Sequence, residues 1–582
     1  MRAGAGALHP GYGFLSENAD FARAVDAAGL VWVGPPARVI AAMGDKLAAK
    51  RVASDAGVAV LASSDDPKDA DALGYPLLIK AAAGGGGKGM RVVADAGGLH
   101  EALSAARREA QSSFGDDRVF FERYVARSRH VEVQIIADRR GHVVHLGERD
   151  CSIQRRHQKL IEESPSPVVD DALRAALTGA ALDLARAIGY ESAGTVEFLL
   201  DDETRDFFFL EVNARLQVEH PVTEEVTGVD VVKEQLRVAL GDALSVRQED
   251  VRFHGFAIEA RLCAEDPSSG FLPATGVLDA FEPASDPAVR WESGVVAGSR
   301  VTVDFDPLLA KVIAHGATRR DAAATLALAL ERLHLGGVTT NRDFLAATLR
   351  HEHFLAGDTT TDFIDRFDPA RDSPISEADL AYAAGVAALW LQGESRAQAP
   401  VLDRVPSGWR NARLPPQRRS LRVGDRQIDV EYHRRRDGTF DVATVGVARV
   451  HDWRHNSLDV EIAGRRSRVR VTRAHERLYV QTPRTTVSFD VVARFDDRRR
   501  APASAPGRLR APMPGLVLEV RVSPGQRVTT SETLVVLEAM KMEHVIRAPA
   551  AGTVSDVVVD VGQQVERGEA LLTFEPDDAA PE

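Results

Sequence analysis

Two glutamates in the stretch 195–219 are predicted to face each other across a β-hairpin. Residues 195–200 and 207–213 are mainly apolar runs separated by a short polar turn, which is typical of two paired strands. In that pairing Glu197 lies opposite Glu211, and like charges directly opposite each other destabilise a sheet. A divalent cation between the carboxylates would remove the conflict, and Mg²⁺ binds carboxylates together with phosphate oxygens. The pair therefore predicts a magnesium site at bound phosphates, with a solvated polar face as the alternative.

Polar residues continue at every second position beyond this hairpin. They are Glu211, Asn213, Arg215, Gln217 and Glu219. A fully extended strand over these positions would place them on one face and would put Glu219 roughly 25 Å from Glu211. We therefore expect Glu219 to lie too far away to share a metal with Glu211 unless the strand bends. Arg215 is expected to keep the Glu219 carboxylate ionised.

A glycine-rich loop follows a short apolar strand that ends at Lys80. Its glycines are Gly84, Gly85, Gly86 and Gly87. Glycine allows backbone N–H groups to close over phosphate oxygens. The loop is not a Walker A motif, because Gly89 stands where that motif has Ser or Thr after Gly-Lys. Its position after a strand favours a phosphate-covering lid over a plain linker.

A dense cationic segment at 154–159 contains Gln154, His157 and Lys159 together with two arginines. Its charge suits either an anion-binding site or a solvated surface. The segment alone does not separate these alternatives.

The C-terminal part of the chain contains an internal repeat with a spacing of 37 residues. Residues 515–517 recur as 552–554, and the two similar β units predict one small sandwich. Lys541 lies where the two halves join, between Met540 and Met542. An exposed turn can offer a lysine to another enzyme, and a plain solvated lysine is the alternative.

The composition is that of a globular protein with several domains. The chain has 582 residues, and this length exceeds what one hydrophobic core usually organises. Hydrophobic residues make up 44% of the chain and charged residues 27%, which is ordinary for a globular protein. Cys151 and Cys263 are its two cysteines, which argues against a disulfide framework and favours a cytoplasmic location. The net charge of −13 argues against nucleic-acid binding. No apolar run has the length of a membrane span, so no membrane partner is expected.

The elements that must position these residues alternate between strands and helices over 45–340, which is typical of an α/β domain. Residues 343–400 have a helical pattern, and short β runs follow over 405–495. The Ala- and Pro-rich segment 501–507 predicts a linker. The first 40 residues resemble the end of an α/β unit rather than its beginning. An α/β multidomain protein is therefore expected.

Residues 1 to about 370 resemble the ATP-grasp biotin carboxylases. The motifs that carry the resemblance are His9-Pro10-Gly11-Tyr12-Gly13-Phe14, Met43-Gly44-Asp45-Lys46, the glycine loop, the segment 154–159 and the segment 211–221. The C-terminal part resembles the biotinyl carrier domain in two segments, Ala511-Pro512-Met513-Pro514-Gly515 and, after it, Ala539-Met540-Lys541-Met542. As a whole, the chain resembles α subunits of biotin-dependent acyl-CoA carboxylases of the acetyl, propionyl or 3-methylcrotonyl type. In that family the N-terminal unit is longer by several dozen residues, so an N-terminal truncation is expected.

The resemblance implies a role for each matching residue. Catalysis would involve Glu219 as general base, Arg215, Lys159 and Arg290, the last stabilising the biotin enolate. The contacts to ATP or bicarbonate would come from Lys46, Lys80, Gly84, Gly85, Gly86, Gly87, Glu122, His130, Gln154 and His157. Mg²⁺ or Mn²⁺ would be held by Glu197, Glu211 and Asn213. Bicarbonate would be positioned by Arg215, Gln217 and Val218, and biotin would be attached to Lys541.

The resemblance also implies the domain order. The expected domains are a remnant of the N-terminal α/β domain (1–40), the ATP-grasp domain (41–250), the biotin carboxylase C-terminal domain (251–370), a β-rich subunit-docking domain (385–495), a linker (501–507) and a lipoyl-like β-sandwich carrier (508–576).

The implied reaction is ATP-dependent carboxylation of biotin by bicarbonate through carboxyphosphate. A separate carboxyltransferase β subunit would pass the carboxyl group to an acyl-CoA, because the middle module is too short for that task. Biotin protein ligase would attach the biotin, and the assembly would be a hetero-oligomer of α and β subunits. The alternative is a biotinylated carrier or scaffold with a truncated, inactive carboxylase domain. Another ATP-grasp ligase is disfavoured by the carrier module, and pyruvate carboxylase by the lack of a large barrel domain between the modules.

Overall fold

The computed structural model describes residues 4–82, 90–156, 158–285, 287–371, 375–401, 405, 415–493, 508–539 and 542–577. The glycine loop, His157, Lys541 and the linker 501–507 lie outside the described residues.

The α-helices of the described part follow in chain order. They are α1 (Ala19–Ala27), α2 (Ala37–Met43), α3 (Lys46–Asp55), α4 (Ala70–Leu73), α5 (Leu99–Phe114), α6 (Asp171–Ala187), α7 (His220–Thr227), α8 (Val231–Ala239), α9 (Arg319–Glu331), α10 (Arg342–Arg350), α11 (Glu352–Ala356), α12 (Phe363–Phe367) and α13 (Glu377–Ala397).

The strands before the linker region are β1 (Ala7–Leu8), β2 (Val31–Trp32), β3 (Ser63–Ser64), β4 (Leu77–Ala81), β5 (Arg91–Val93), β6 (Val119–Arg123), β7 (Ser128–Ala137), β8 (Val143–Arg155), β9 (Gln158–Ser164), β10 (Ser192–Asp201), β11 (Phe207–Asn213), β12 (Phe256–Cys263), β13 (Glu265–Asp266), β14 (Leu272–Pro273), β15 (Gly276–Val277), β16 (Ala280–Glu282), β17 (Arg290–Ser293), β18 (Arg300–Val301), β19 (Leu308–Gly316), β20 (His334–Gly336), β21 (Gln417–Val423), β22 (Arg426–Arg434), β23 (Phe440–Val442), β24 (Gly446–Arg454), β25 (Ser457–Ile462), β26 (Arg465–Ala474), β27 (Arg477–Gln481) and β28 (Thr486–Val491). The carrier region adds β29 (Arg508–Arg510), β30 (Gly515–Val520), β31 (Arg527–Val528), β32 (Thr533–Ala539), β33 (Met542–Arg547), β34 (Gly552–Val557), β35 (Gln564–Val565) and β36 (Ala570–Pro576).

The chain divides into two compact units. The first comprises Met1–Arg261, Lys311–Ala327 and Leu345–Pro369, and the second comprises Leu262–Ala310, Leu328–Phe344 and Ala370–Glu582.

The first unit is built on a sheet with the strand order β11-β10-β7-β8-β9-β12-β19. Its central strand β7 has two different faces, because successive side chains of a strand point to opposite sides. Val131, Val133 and Ile135 pack in one apolar core with Leu177 and Leu184 of α6. The other face carries His130, Glu132 and Gln134, and buried charges on such a face must find partners. The partners come from neighbouring strands and form the candidate site.

The predicted hairpin is confirmed, but the predicted extension of its second strand is wrong. β10 pairs with β11, and Glu197 and Glu211 are directly opposed. The strand ends at Asn213, and α7 begins at His220 with Pro221 in its first turn. Proline suits the first turn of a helix because it lacks an N–H group. The backbone N–H of His220 donates to the Gln217 carbonyl at 3.4 Å, so the chain turns before the helix.

The β-rich middle part of the second unit is a closed barrel of β21 to β28. Helix α13 packs on the barrel core, where Ala384, Ala387 and Leu391 share one cluster with Leu421 and Val430. Small alanine side chains allow a close approach of helix and strands. The sequence pattern thus correctly indicated short β runs preceded by a helix.

The carrier region of the second unit is a sandwich of two four-stranded sheets, ordered β29-β36-β34-β31 and β33-β32-β30-β35. The repeat in the sequence reappears as paired elements, since β30, β31 and β32 correspond to β34, β35 and β36. Strands β32 and β33 are paired up to Ala539 and Met542.

Among the described residues, no helix combines the length and apolar character needed to cross a membrane.

Candidate active site

The centre of the site is Lys159 on β9, whose ammonium group meets three carboxylates. Its Nζ donates to Glu132 Oε2 at 2.5 Å, to Glu197 Oε1 at 2.8 Å and to Glu219 Oε1 at 2.6 Å. Burial alone would lower the pKa of Lys159, but the three carboxylates outweigh burial and raise its pKa well above the ordinary value. An ammonium group has three donors, and all three are engaged.

Glu197 collects hydrogen bonds from several strands. Its Oε1 also accepts from Asn213 Nδ2 at 2.7 Å and from Gln217 Nε2 at 3.0 Å. Its Oε2 lies 2.8 Å from His130 Nε2. Burial would raise the pKa of Glu197, but Lys159 and His130 hold its pKa well below the usual range. This carboxylate is therefore ionised near neutral pH.

Two carboxylates suit a divalent cation at this position. Glu211 is directly opposed to Glu197 in the strand pairing. Its Oε2 atom lies 3.5 Å from Nζ of Lys46, with which it forms an ion pair. The oxygen donors of Glu197 and Glu211 match what Mg²⁺ or Mn²⁺ prefers, so these residues fit the predicted metal. The fit of Asn213 is less direct, because its Oδ1 accepts from Arg215 Nη2 at 2.8 Å.

Arg215 is held on three sides. Its guanidinium donates to Asn213 Oδ1 and, at 2.6 Å, to Gln217 Oε1. Its Nε lies 3.0 Å from the carboxylate of Glu17. Val218 presents its carbonyl to Lys311 Nζ at 2.8 Å. Of the predicted bicarbonate residues, Gln217 therefore contacts Glu197 directly, and Arg215 contacts Gln217.

Glu219 lies beside the predicted metal residues, not roughly 25 Å away as the extended-strand expectation had it. The turn that ends before α7 brings it back, so Lys159 contacts both Glu197 and Glu219. Its second oxygen accepts from Arg261 Nη2 at 2.9 Å. Burial would raise the pKa of Glu219, but Lys159, Arg261 and Arg149 hold its pKa far below the usual range. In this arrangement Glu219 is ionised but is a weak base.

A second charged group joins the small sheet β3-β6-β4-β5 to α3. Glu122 on β6 contacts both Lys80 on β4 and Lys50 on α3, and all three side chains are nearly buried. Burial is the main cause that lowers the pKa of Lys50.

The predicted nucleotide residues Gln154 and His130 contact each other. Gln154 Nε2 donates to His130 Nδ1 at 2.8 Å, which links this histidine to β8.

Arg290 is the predicted catalytic residue that belongs to the other unit. It lies on β17, where its guanidinium contacts Glu292. Its role at biotin remains a prediction.

Four residues of this network escaped the sequence analysis: the buried Glu132, Arg149 and Lys50, and the partly buried Arg261. Arg149 has no exposed side-chain surface and donates to Glu132 Oε1 at 2.6 Å. A signal existed for Arg261, since Glu259 and Arg261 alternate within the otherwise apolar run 256–263. Charged residues at alternate positions of a buried strand indicate a polar face with partners.

The geometry joins cations suited to phosphate oxygens, a metal-compatible carboxylate pair and an ionised glutamate in one site. Such a site can stabilise phosphoryl transfer and accept a proton beside it.

Family comparisons divide almost the whole chain among five matches. They are the biotin carboxylase N-terminal domain (residues 1–40), the carbamoyl-phosphate synthase L chain ATP-binding domain (40–247), the biotin carboxylase C-terminal domain (259–366), the BT domain of the methylcrotonyl-CoA carboxylase α subunit (377–494) and the domain of biotin-requiring enzymes (507–574).

Curated relatives align over nearly the full chain. The propionyl-CoA carboxylase α chain of Ruegeria pomeroyi is 38% identical, covering 93% of this chain and 85% of that protein. The mitochondrial methylcrotonoyl-CoA carboxylase α subunit of Arabidopsis thaliana is 39% identical, covering 94% and 81%.

Solved structures match the biotin carboxylase part. The biotin carboxylase domain of Hydrogenobacter thermophilus 2-oxoglutarate carboxylase, in complex with MgADP, ADP and bicarbonate, is 40% identical with a TM-score of 0.63, covering 64% of this chain and 84% of that one. Campylobacter jejuni biotin carboxylase is 42% identical with a TM-score of 0.61, covering 63% and 83%. With relatives this similar over more than nine tenths of its length, the chain belongs to the family of α subunits of biotin-dependent acyl-CoA carboxylases.

Proposed function

We propose that the first unit activates bicarbonate with ATP and that the carboxyl group is passed to biotin attached to Lys541. The observation that carries this proposal is the position of Lys159, which contacts Glu197 on the predicted metal side and Glu219, the predicted base. One ammonium group therefore joins the phosphate side of the site to its proton-accepting side.

The phosphate side is assigned to cations and carboxylates of four elements, α3, β4, β10 and β11. Lys46 and Lys80 oppose the charge of the nucleotide phosphates, and Glu197 and Glu211 hold Mg²⁺ or Mn²⁺. The metal, when bound, offsets phosphate charge, and biotin, when attached, supplies the nitrogen that accepts the carboxyl group. Gly84 to Gly87 are assigned to the lid that excludes water.

The bicarbonate side is assigned to Arg215, Gln217 and the backbone of Val218. A guanidinium fork suits the planar bicarbonate anion. Glu219 accepts the proton that the reaction releases. An anionic phosphate that competes for Lys159 would withdraw one cation from Glu219 and so strengthen it as a base.

The second half-reaction is assigned to a carboxyltransferase β subunit on another chain, with biotin protein ligase attaching the biotin. The BT-type barrel of β21 to β28 is the proposed docking domain. The acyl-CoA would then be selected by the β subunit. Cytoplasmic location and a hetero-oligomer of α and β subunits remain predictions.

The decisive experiment compares nucleotide affinity with free-biotin carboxylation on one preparation of Glu219→Gln. The change preserves shape and removes the base, so ATP affinity should stay within about twofold while carboxylation falls by at least about a hundredfold. Glu225→Gln on the same helix α7 is the matched control and should keep both properties. Joint loss of affinity and turnover would assign Glu219 a structural role, and full activity would remove it from the mechanism.

A further inference from the structure

Two glutamates outside the proposed catalytic roles face each other inside the first unit. Glu162 on β9 and Glu259 on β12 are directly opposed across the two strands, and neither is exposed to solvent. Among the described residues, Glu162 Oε2 and both carboxyl oxygens of Glu259 have no hydrogen-bond partner. Buried oxygens of this kind are costly when charged.

Opposed carboxyl groups in a dry environment do not both ionise easily. The first negative charge raises the energy of the second, so one carboxyl group retains its proton. The Glu197–Glu211 pair differs, since Lys159 and His130 neutralise Glu197. The pair is therefore expected to ionise only once, with one carboxyl group remaining protonated.

The charged and titratable groups around the pair come from every neighbouring element. They are Lys159 on β9, Cys151 on β8, Arg261 on β12, Lys311 on β19 and Glu219 at the start of α7. Arg261 is the link between the pair and the site. Its Nε donates to Glu162 Oε1 at 2.5 Å while its Nη2 donates to Glu219 Oε2 at 2.9 Å.

We propose that Glu162 and Glu259 act as a carboxyl pair that ionises only at Glu162, and that the charge of this pair, acting through Arg261, sets the strength of Glu219 as a base. The pair consists of positioning residues, because neither contacts a reacting atom. When the pair is neutral, Arg261 is attracted to Glu219 alone and weakens it as a base. When the pair carries a negative charge, Arg261 is shared and Glu219 becomes more basic.

The working range of this device lies near neutral pH. Burial raises the pKa of Glu162 to about 7, with Arg261 opposing the shift and Glu219 adding to it. Burial also raises the pKa of Glu259 well above its ordinary value, and Lys311 opposes that shift. Glu259 is therefore the proton holder, and Glu162 is the member that ionises first.

The kinetic test is the pH profile of ATP-dependent free-biotin carboxylation by the full chain between about pH 6 and 9. The wild-type kcat should rise through an apparent pKa near 7. Glu162→Gln should lose that rise and have a low kcat at all pH values, with the KM for ATP unchanged. Glu259→Gln should keep the rise near the wild-type pH, because the uncharged amide replaces a carboxyl group that stays protonated throughout this range.

The matched control is Glu234→Gln, a buried glutamate of α8 that binds Ser245 outside this group. It should keep the wild-type profile. A rise at the wild-type pH in Glu162→Gln, or loss of the rise in Glu259→Gln, would overturn the proposal.

A measurement on the wild-type chain covers the case in which a variant does not fold. Infrared difference spectroscopy should detect the C=O band of a protonated carboxyl group that disappears as pH rises through about 7. Absence of such a band between about pH 6 and 8 would also overturn the proposal. This inference rests on Glu219 as the base. If Glu219→Gln kept full activity while the band still titrated, the base assignment would fail and the titration of the carboxyl pair would stand.

Discussion

Replacing Lys159 by methionine should destabilise the first unit strongly, because three buried carboxylates share its ammonium group. Breaking a buried ion pair by removing one partner costs about 3–5 kcal/mol. Arg149 still lies 2.6 Å from Glu132, and Arg261 still lies 2.9 Å from Glu219. These remaining cations limit the loss, so we expect a value of about 3 kcal/mol.

The loss of folding stability in the variant should also grow as the pH rises. In the wild type the pKa of Lys159 is raised, so its contribution is fully present below its unfolded pKa of about 10. In the variant, carboxylates that lost their cation have raised pKa values. Folding then takes up protons, so the variant loses stability as pH rises from about 5 to 8. The gap to the wild type should therefore be small near pH 5 and large near pH 8.

Amide hydrogen exchange of peptides from β8 and β9, followed by mass spectrometry, measures this loss within the unit itself. Lys233→Met is the matched control, because Lys233 is 79% exposed and its pair with Asp230 contributes at most about 1 kcal/mol. A loss below about 1 kcal/mol at pH 8, or the same loss at both pH values, would refute the reasoning.

Three further predictions concern the metal, the carrier and the division of labour. Glu211→Gln should raise the Mg²⁺ requirement of ATP cleavage with little effect on folding, whereas Glu197→Gln should also destabilise, since Glu197 Oε1 accepts three hydrogen bonds; an unchanged Mg²⁺ titration for both would reject the pair as ligands. Lys541→Arg should keep the fold and abolish biotin detected by streptavidin blotting, and a positive blot would rule out this lysine as the biotin site. The purified chain alone should not carboxylate any acyl-CoA in a bicarbonate-fixation assay, and robust product formation without a β subunit would contradict the assignment to a separate chain.

Features with a local or periodic signature could be predicted from the sequence. The opposition of Glu197 and Glu211 follows from the lengths of two apolar runs around one turn, and the structure has this register. The sandwich of the carrier region follows from the repeat of 37 residues, because similar sequences form similar β units.

The relation between these elements was decided only by the tertiary structure. A period-two pattern cannot show where a strand ends, so the chain turn before α7 and the approach of Glu219 to Lys159 were missed. Glu132, Lys159 and Glu219 are far apart in the sequence and meet because β7, β8 and β9 are adjacent and α7 begins beside them. Arg261 became part of the site for the same reason, since β12 pairs with β9. Buried charges are stable only when partners from other strands surround them, and the sheet order, not the local sequence, supplies those partners.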